Sequence, residues 1–150
     1  MILTTRTIPS ILLTTLIFCL ASISWAKDSI TVSDAWVADA PPNSTTYAGY
    51  LTIKNSGAEA VELLTVSSPK FKKVEIHQTQ VIKNIARMVE QDGLPIFEKE
   101  TTKFAPGGLH LMMIEPKGAL KLGDKIEITL KFENKLTKTV TAIVKKRTSK

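Results

Sequence analysis

Cysteine is almost missing from this 150-residue chain, which contains one. A single thiol excludes an intramolecular disulfide, a CxxC redox pair and any zinc site built from several cysteines. Aromatic residues make up only 6% of the chain, and no aromatic RNA-reading motif accompanies its scattered lysines, which argues against nucleic-acid binding. Neither a run of low-complexity residues nor an internal repeat divides the chain. A sustained 3.6-residue apolar period with capping signals is also missing, so long helices are not expected. The hydrophobic fraction of 43% is that of a globular chain rather than a disordered one, and the length suits one domain. A formal charge of +6 is compatible with acidic partners but identifies none.

Residues 1–26 read as a secretory signal peptide. Arg6 supplies the positive start, Ile8 to Ile23 form an apolar stretch broken by threonines and Pro9, and Ser24-Trp25-Ala26 places small residues around a cut after Ala26. The stretch is shorter and more polar than a spanning helix requires, and no second run of that length follows, so no stable membrane insertion is expected after cleavage. Phe18 before Cys19 disfavours a lipoprotein processing site. Cleavage removes only Arg6 and Cys19 from the charge and cysteine counts, leaving residues 27–150 with a charge of +5 and no sulfur nucleophile or thiolate ligand. The expected destination is the oxidising periplasm.

The remainder reads as all-β. Tyr47–Ile53, Val61–Val66, Lys73–His77, Ile85–Val89, Leu109–Ile114, Ile126–Phe132 and Thr139–Val144 are short runs of strand character. Turn signals separate them: Asn55-Ser56-Gly57, Ser67-Ser68-Pro69, Lys83-Asn84, Pro106-Gly107-Gly108, Leu122-Gly123-Asp124 and Glu133-Asn134-Lys135. Strands of this length and spacing predict a two-sheet Greek-key β-sandwich. Trp36 is expected to pack in the core or at a sheet edge, and the basic tail Lys145–Lys150 to be a solvated end, with docking to an acidic partner or anionic lipid as the alternative.

What chemistry the mature chain carries is gathered between residues 77 and 113, where both histidines and all three remaining methionines fall. His110 and Met112 are two apart on one strand, so they share a face about 7 Å apart along the backbone, while Met113 points the other way, into the core. His77 alternates with Val74 and Ile76 and stands beside Glu75 on the polar face. Met88 follows a hairpin able to return it alongside His77. Each residue alone is ordinary. Together, two imidazoles and two thioethers form a soft, neutral donor set of the kind that selects Cu(I) over hard ions.

His77, ten residues, Met88, twenty-one residues, then His110-Leu111-Met112 is similar to the His-x10-Met-x21-His-x-Met signature of the periplasmic copper chaperone family PCu(A)C. Asp34-Ala35-Trp36, Tyr50 to Asn55, Val74 to His77 and Pro106 to Met112 extend the resemblance, which runs from about residue 29 to about 146. It implies a cupredoxin-like β-sandwich binding one Cu(I) per monomer through His77, Met88, His110 and Met112. It further implies delivery to the dinuclear copper centre of cytochrome c oxidase subunit II, alongside a thioredoxin-like copper assembly factor. Buffering of periplasmic copper, or supply to another cuproenzyme, is the alternative role. Two departures from the family stand out. Ala86-Arg87-Met88 lacks the Met-x-Met of many relatives, and the tail is lysine-rich where some relatives carry a His/Met-rich extension with a second copper site. A blue-copper electron-transfer site is excluded, since it requires a cysteine thiolate. No nucleophile motif or carboxylate pair points to an enzyme.

Overall fold

A computed structural model describes residues 29–147, and the expected signal peptide lies outside the described residues. The described residues contain ten strands and no helix: β1 (Ile30–Ala38), β2 (Thr46–Asn55), β3 (Val61–Ser67), β4 (Phe71–Ile82), β5 (Ile85–Gln91), β6 (Leu94–Ile96), β7 (Thr101–Lys103), β8 (Leu109–Pro116), β9 (Lys125–Phe132) and β10 (Thr137–Lys145). All seven expected runs lie in strands, and β4 is longer than the pattern Lys73–His77 suggested.

Hydrogen bonding joins the strands in the order β4-β8-β2-β1-β10-β9-β3, and the pair Val66 and Val74 returns β3 to β4. The expected two-sheet sandwich therefore closes into a seven-stranded barrel, which removes two sheet edges. The contact of β1 with β10 is parallel, while the other pairings are antiparallel. Outside the closed circuit, β5 extends from β4, β6 from β3, and β7 lies on β2.

Alternation builds the core. Tyr47, Leu51, Ile53, Leu63, Ile76, Leu111, Met113, Ile126, Ile128, Leu130, Phe132 and Val144 turn inward and are buried, as a period-two pattern requires. Gly49 allows β2 and β8 to approach: a Cβ there would stand 3.0 Å from the Met113 sulfur and 3.3 Å from Leu111 Cβ. Asn55 closes the end of β2 from within. Its amide nitrogen donates to the carbonyls of Glu59 (2.8 Å) and Ile96 (3.2 Å), and its oxygen accepts the Gly57 N–H (2.9 Å).

Two local features place the site. Lys83 and Asn84 both take positive φ, 50° and 61°, the conformation of a two-residue hairpin turn that twists with its strands. The β4–β5 ribbon made by this turn continues past the last residue of β4 paired with β8, Gln78. Gly107, at φ 82°, lets the chain reverse before β8, and its neighbour Gly108 offers its carbonyl to the Thr79 N–H at 3.2 Å.

Candidate metal centre

The registers of β4, β5 and β8 bring the expected ligands to one outer face of the barrel. His77 lies directly across from His110 on β8 and from Glu90 on β5. One row along, Glu75 faces Met112; one row the other way, Thr79 faces Met88. Residues opposite one another in a sheet share its face, so His77, Met88, His110 and Met112 all project to the same side. Leu111 and Met113 project to the other side and are wholly buried.

The two imidazole rings sit with centroids 5.9 Å apart and planes inclined at 52°. Two imidazoles ligating one ion at about 2.0 Å per nitrogen have centroids roughly 5–6 Å apart, so the ring spacing is compatible with a shared ion. Both histidines are buried, although they lie on the outer face. Met112 is half-buried, and Met88, on the ribbon, is 65% exposed. A cavity of about 270 Å³ opens onto Met88, His110 and Met112, walled by Ala38 to Pro41, by Thr46 to Ala48 and by Arg147. His77 does not line this cavity; it reaches the group through its ring contact with His110. A larger concavity, about 860 Å³, lies between residues 39–47 and 115–121 and contains no histidine or methionine.

Hydrogen bonding is different on the two rings. His110 Nδ1 lies 3.0 Å from the Gly108 carbonyl oxygen, and because a carbonyl only accepts, Nδ1 carries the proton and Nε2 the lone pair. His77 Nε2 lies 2.8 Å from Glu75 Oε2. His77 Nδ1 is buried with no hydrogen-bond partner. Glu75 is itself held by Lys73, whose Nζ is 2.5 Å from Oε1 and 3.7 Å from Glu90. The hydrogen bond from Lys73, then that from His77, holds the Glu75 carboxyl below the usual carboxylate range, and the same contact raises the Lys73 ammonium.

Glu75, His77 and Glu90 also offer donor atoms within 4.8 Å of one another. The Lys73 ammonium pairs with both carboxylates there. That accounts for the cluster as an ion-pair network rather than a hard-cation site. Neither the sequence pattern nor the spacing marked Arg147, whose guanidinium donates to the Tyr50 hydroxyl at 3.1 Å and walls the cavity. The described part of the tail, Lys145 to Arg147, is exposed as expected, with this one hydrogen bond tethering Arg147; residues 148–150 lie outside the described residues. Trp36 lies neither in the core nor at a sheet edge: β1 is paired on both sides, and the half-buried ring packs on the outer face with its centroid 4.5 Å from that of Tyr50.

Comparison with known sequences is decisive for kinship: the family described as putative lipoprotein LpqE-like matches residues 30–144. The chain belongs to the LpqE-like family. A curated member-like relative, the putative lipoprotein Lxx21020 of Leifsonia xyli, is 33% identical over 120 residues, covering 79% of this chain and 70% of its own. The uncharacterised protein RP573 of Rickettsia prowazekii is 34% identical over 94 residues, and the match spans 62% of this chain and about half, 52%, of that protein. Among solved structures, the solution structure of CuI-DR1885 from Deinococcus radiodurans superimposes with a TM-score of 0.64 at 29% identity over 78% of each chain. The copper-bound PCuAC domain from PmoF2 superimposes with a TM-score of 0.67 at 24% identity, covering 79% of this chain and 94% of its own. This LpqE-like chain therefore has the cupredoxin-like all-β fold of those domains, closed as a barrel with added strands.

Proposed function

We propose that this LpqE-like domain is an exported carrier of Cu(I), holding one ion per monomer between His77, Met88, His110 and Met112. The observation that carries the reading is the facing pair of buried imidazoles, 5.9 Å apart, with Met112 and Met88 on the same side of the sheet. The donor chemistry fits the ion. His110 Nε2 is left with its lone pair by the bond to Gly108, and His77 Nδ1 is a buried nitrogen with no other partner. Two thioethers complete a soft, uncharged set that favours Cu(I) over zinc or hard ions. Similarity to copper-loaded domains supports the same reading.

Copper is cargo here, and the ligands differ in how firmly the fold holds them. Met88 is exposed on the ribbon outside the closed circuit, whereas the histidines are buried. An incoming donor reaches the ion by displacing Met88 first, and transfer proceeds by successive exchange of one ligand for another, with no redox step or covalent chemistry by the protein. The recipient we propose is the dinuclear copper centre of cytochrome c oxidase subunit II, with a thioredoxin-like assembly factor as co-worker. Transfer takes place in the periplasm, after removal of residues 1–26. The lipoprotein name of the Leifsonia relative supports export.

Titration with a Cu(I)-selective chromogenic competitor tests the carrier reading: one equivalent is expected, and loss of affinity in Met112→Ala and His110→Ala. Unchanged affinity in the double variant refutes the site. Mixing the Cu(I)-loaded protein with the apo copper domain of subunit II, followed by NMR, tests delivery. Copper sensitivity of a deletion strain with normal oxidase activity identifies buffering instead.

A further inference from the structure

Glu75 is 2.8 Å from His77 Nε2, on the same face of β4 and two residues away, and Lys73 occupies its other oxygen. An ionised carboxylate only accepts hydrogen bonds, so Nε2 must carry the proton. The neutral ring then bears its lone pair on Nδ1, the buried atom without a partner. The alternative tautomer faces two penalties. It sets the Nε2 lone pair against the carboxylate and leaves a buried Nδ1–H with no acceptor. On the neighbouring strand the Gly108 carbonyl selects the opposite tautomer for His110.

We propose that Glu75, braced by Lys73, is a positioning residue that fixes His77 as the Nε2–H tautomer, so that His77 offers the ion Nδ1 while His110 offers Nε2. The copper half of this statement rests on the carrier reading; the tautomer half does not. A carboxylate hydrogen-bonded to a ligating imidazole also raises its basicity as a donor. The two thioethers and two imidazoles are neutral, and the Lys73, Glu75 and Glu90 group beside them carries one net negative charge.

Long-range 1H–15N correlation spectra of the apo protein read the tautomers directly. The expected pattern is a protonated Nε2 on His77 and a protonated Nδ1 on His110. In Glu75→Gln the side-chain carbonyl still accepts from Nε2–H, so the tautomer is retained while the charge is lost. Glu75→Val removes both and yields a mixed tautomer pattern for His77. Competitive Cu(I) titration is expected to show an affinity loss of about 10-fold for Glu75→Gln and up to about 100-fold for Glu75→Val. On loading the wild type, the nitrogen that shifts should be Nδ1 in His77 and Nε2 in His110. A protonated Nδ1 on apo His77, a copper-shifted Nε2 on that residue, or wild-type affinity in Glu75→Val overturns the proposal. Failure of the wild type to bind Cu(I) overturns the carrier reading and the copper half with it, and the apo spectra then decide the tautomer half alone.

Discussion

Met112 and Met113 are adjacent in the chain and face opposite ways, so replacing each by alanine separates the fold from the site. Met113 is wholly buried, and its sulfur packs where β2 carries Gly49, a residue without a side chain to move into the gap. Truncating a buried methionine to alanine costs 2–5 kcal/mol, and the poorly refilled void here argues for about 3 kcal/mol or more. For about 120 folded residues, an unfolding entropy near 2.1 cal/mol/K per residue makes each kcal/mol worth about 4 °C. Met113→Ala should therefore melt about 12 °C lower than wild type without copper, whereas the half-buried Met112→Ala should lose less than about 4 °C. Copper reverses the ranking. At a free Cu(I) concentration a thousand times the dissociation constant, loading adds about 4 kcal/mol, or roughly 16 °C. Met113→Ala should keep that increment. Met112→Ala should forfeit about 1.4 kcal/mol, near 5 °C, for every tenfold loss in affinity. Scanning calorimetry at matched protein and buffered Cu(I) concentrations reads both effects. Equal apo melting temperatures for the two variants, or a copper increment lost in Met113→Ala and kept in Met112→Ala, would refute the assignment of faces.

Further outcomes follow from other contacts. Because Glu75 sits below its ordinary value of 4.5 in the folded state, it binds protons more readily when unfolded, so its contribution is complete above about pH 4.5 and disappears as pH falls through the lowered value. Urea unfolding at stepped pH should show a stability difference between wild type and Glu75→Gln that is constant above pH 4.5 and closes below it. Asn55→Ala removes three hydrogen bonds at a site with no solvent access and should cost about 2–4 kcal/mol in urea unfolding, with no loss of Cu(I) stoichiometry. Met88→Leu changes an exposed side chain, so apo stability should stay within about 0.5 kcal/mol while competitive titration shows weakened Cu(I) binding.

The strands and the site were legible to different depths. Period-two alternation marks β2, β3, β4, β8, β9 and β10 because their inner faces carry large apolar side chains, as at Ile126, Ile128, Leu130 and Phe132. The Lys83-Asn84 hairpin was legible because a short polar side chain at Asn84 tolerates the left-handed backbone that the turn demands. By contrast, β6 and β7 have three residues each, too few to display a period, and Pro95 interrupts the first. Closure of the barrel was hidden for another reason. It depends on the Val66–Val74 pair and on the parallel alignment of β1 with β10, and pairing between distant segments leaves no local mark. At the site, donor type and the resemblance to the PCu(A)C signature group His77, Met88, His110 and Met112, but only register shows that His77 and His110 are cross-strand partners. The tail is exposed through Arg147, as its run of basic residues suggests, but the Arg147 contact with Tyr50 has no local mark because the partner lies 97 residues away.

Under the proposed function, the placement of the four candidate donors suits a carrier that must also release. His110 and Met112 belong to β8, which has β4 on one side and β2 on the other, and Leu111 and Met113 anchor that strand from beneath in the core. His77 belongs to β4, likewise paired on both sides, and its ring is buried. Met88 alone sits on β5, at the end of the strand order, and its side chain is mostly in solvent. Local opening of an edge ribbon costs less than opening a strand inside the circuit, so the ligand exposed first to a competing donor is the one whose departure disturbs the fold least. Three donors then remain on strands held by the core, and the ion stays bound while the recipient's first ligand enters. On this reasoning Met88→Leu should alter the rate of transfer more than the retention of copper, and Met112→Ala should alter retention. Equal effects of both substitutions on both quantities would place the four donors on an equal footing and remove the argument for ordered release.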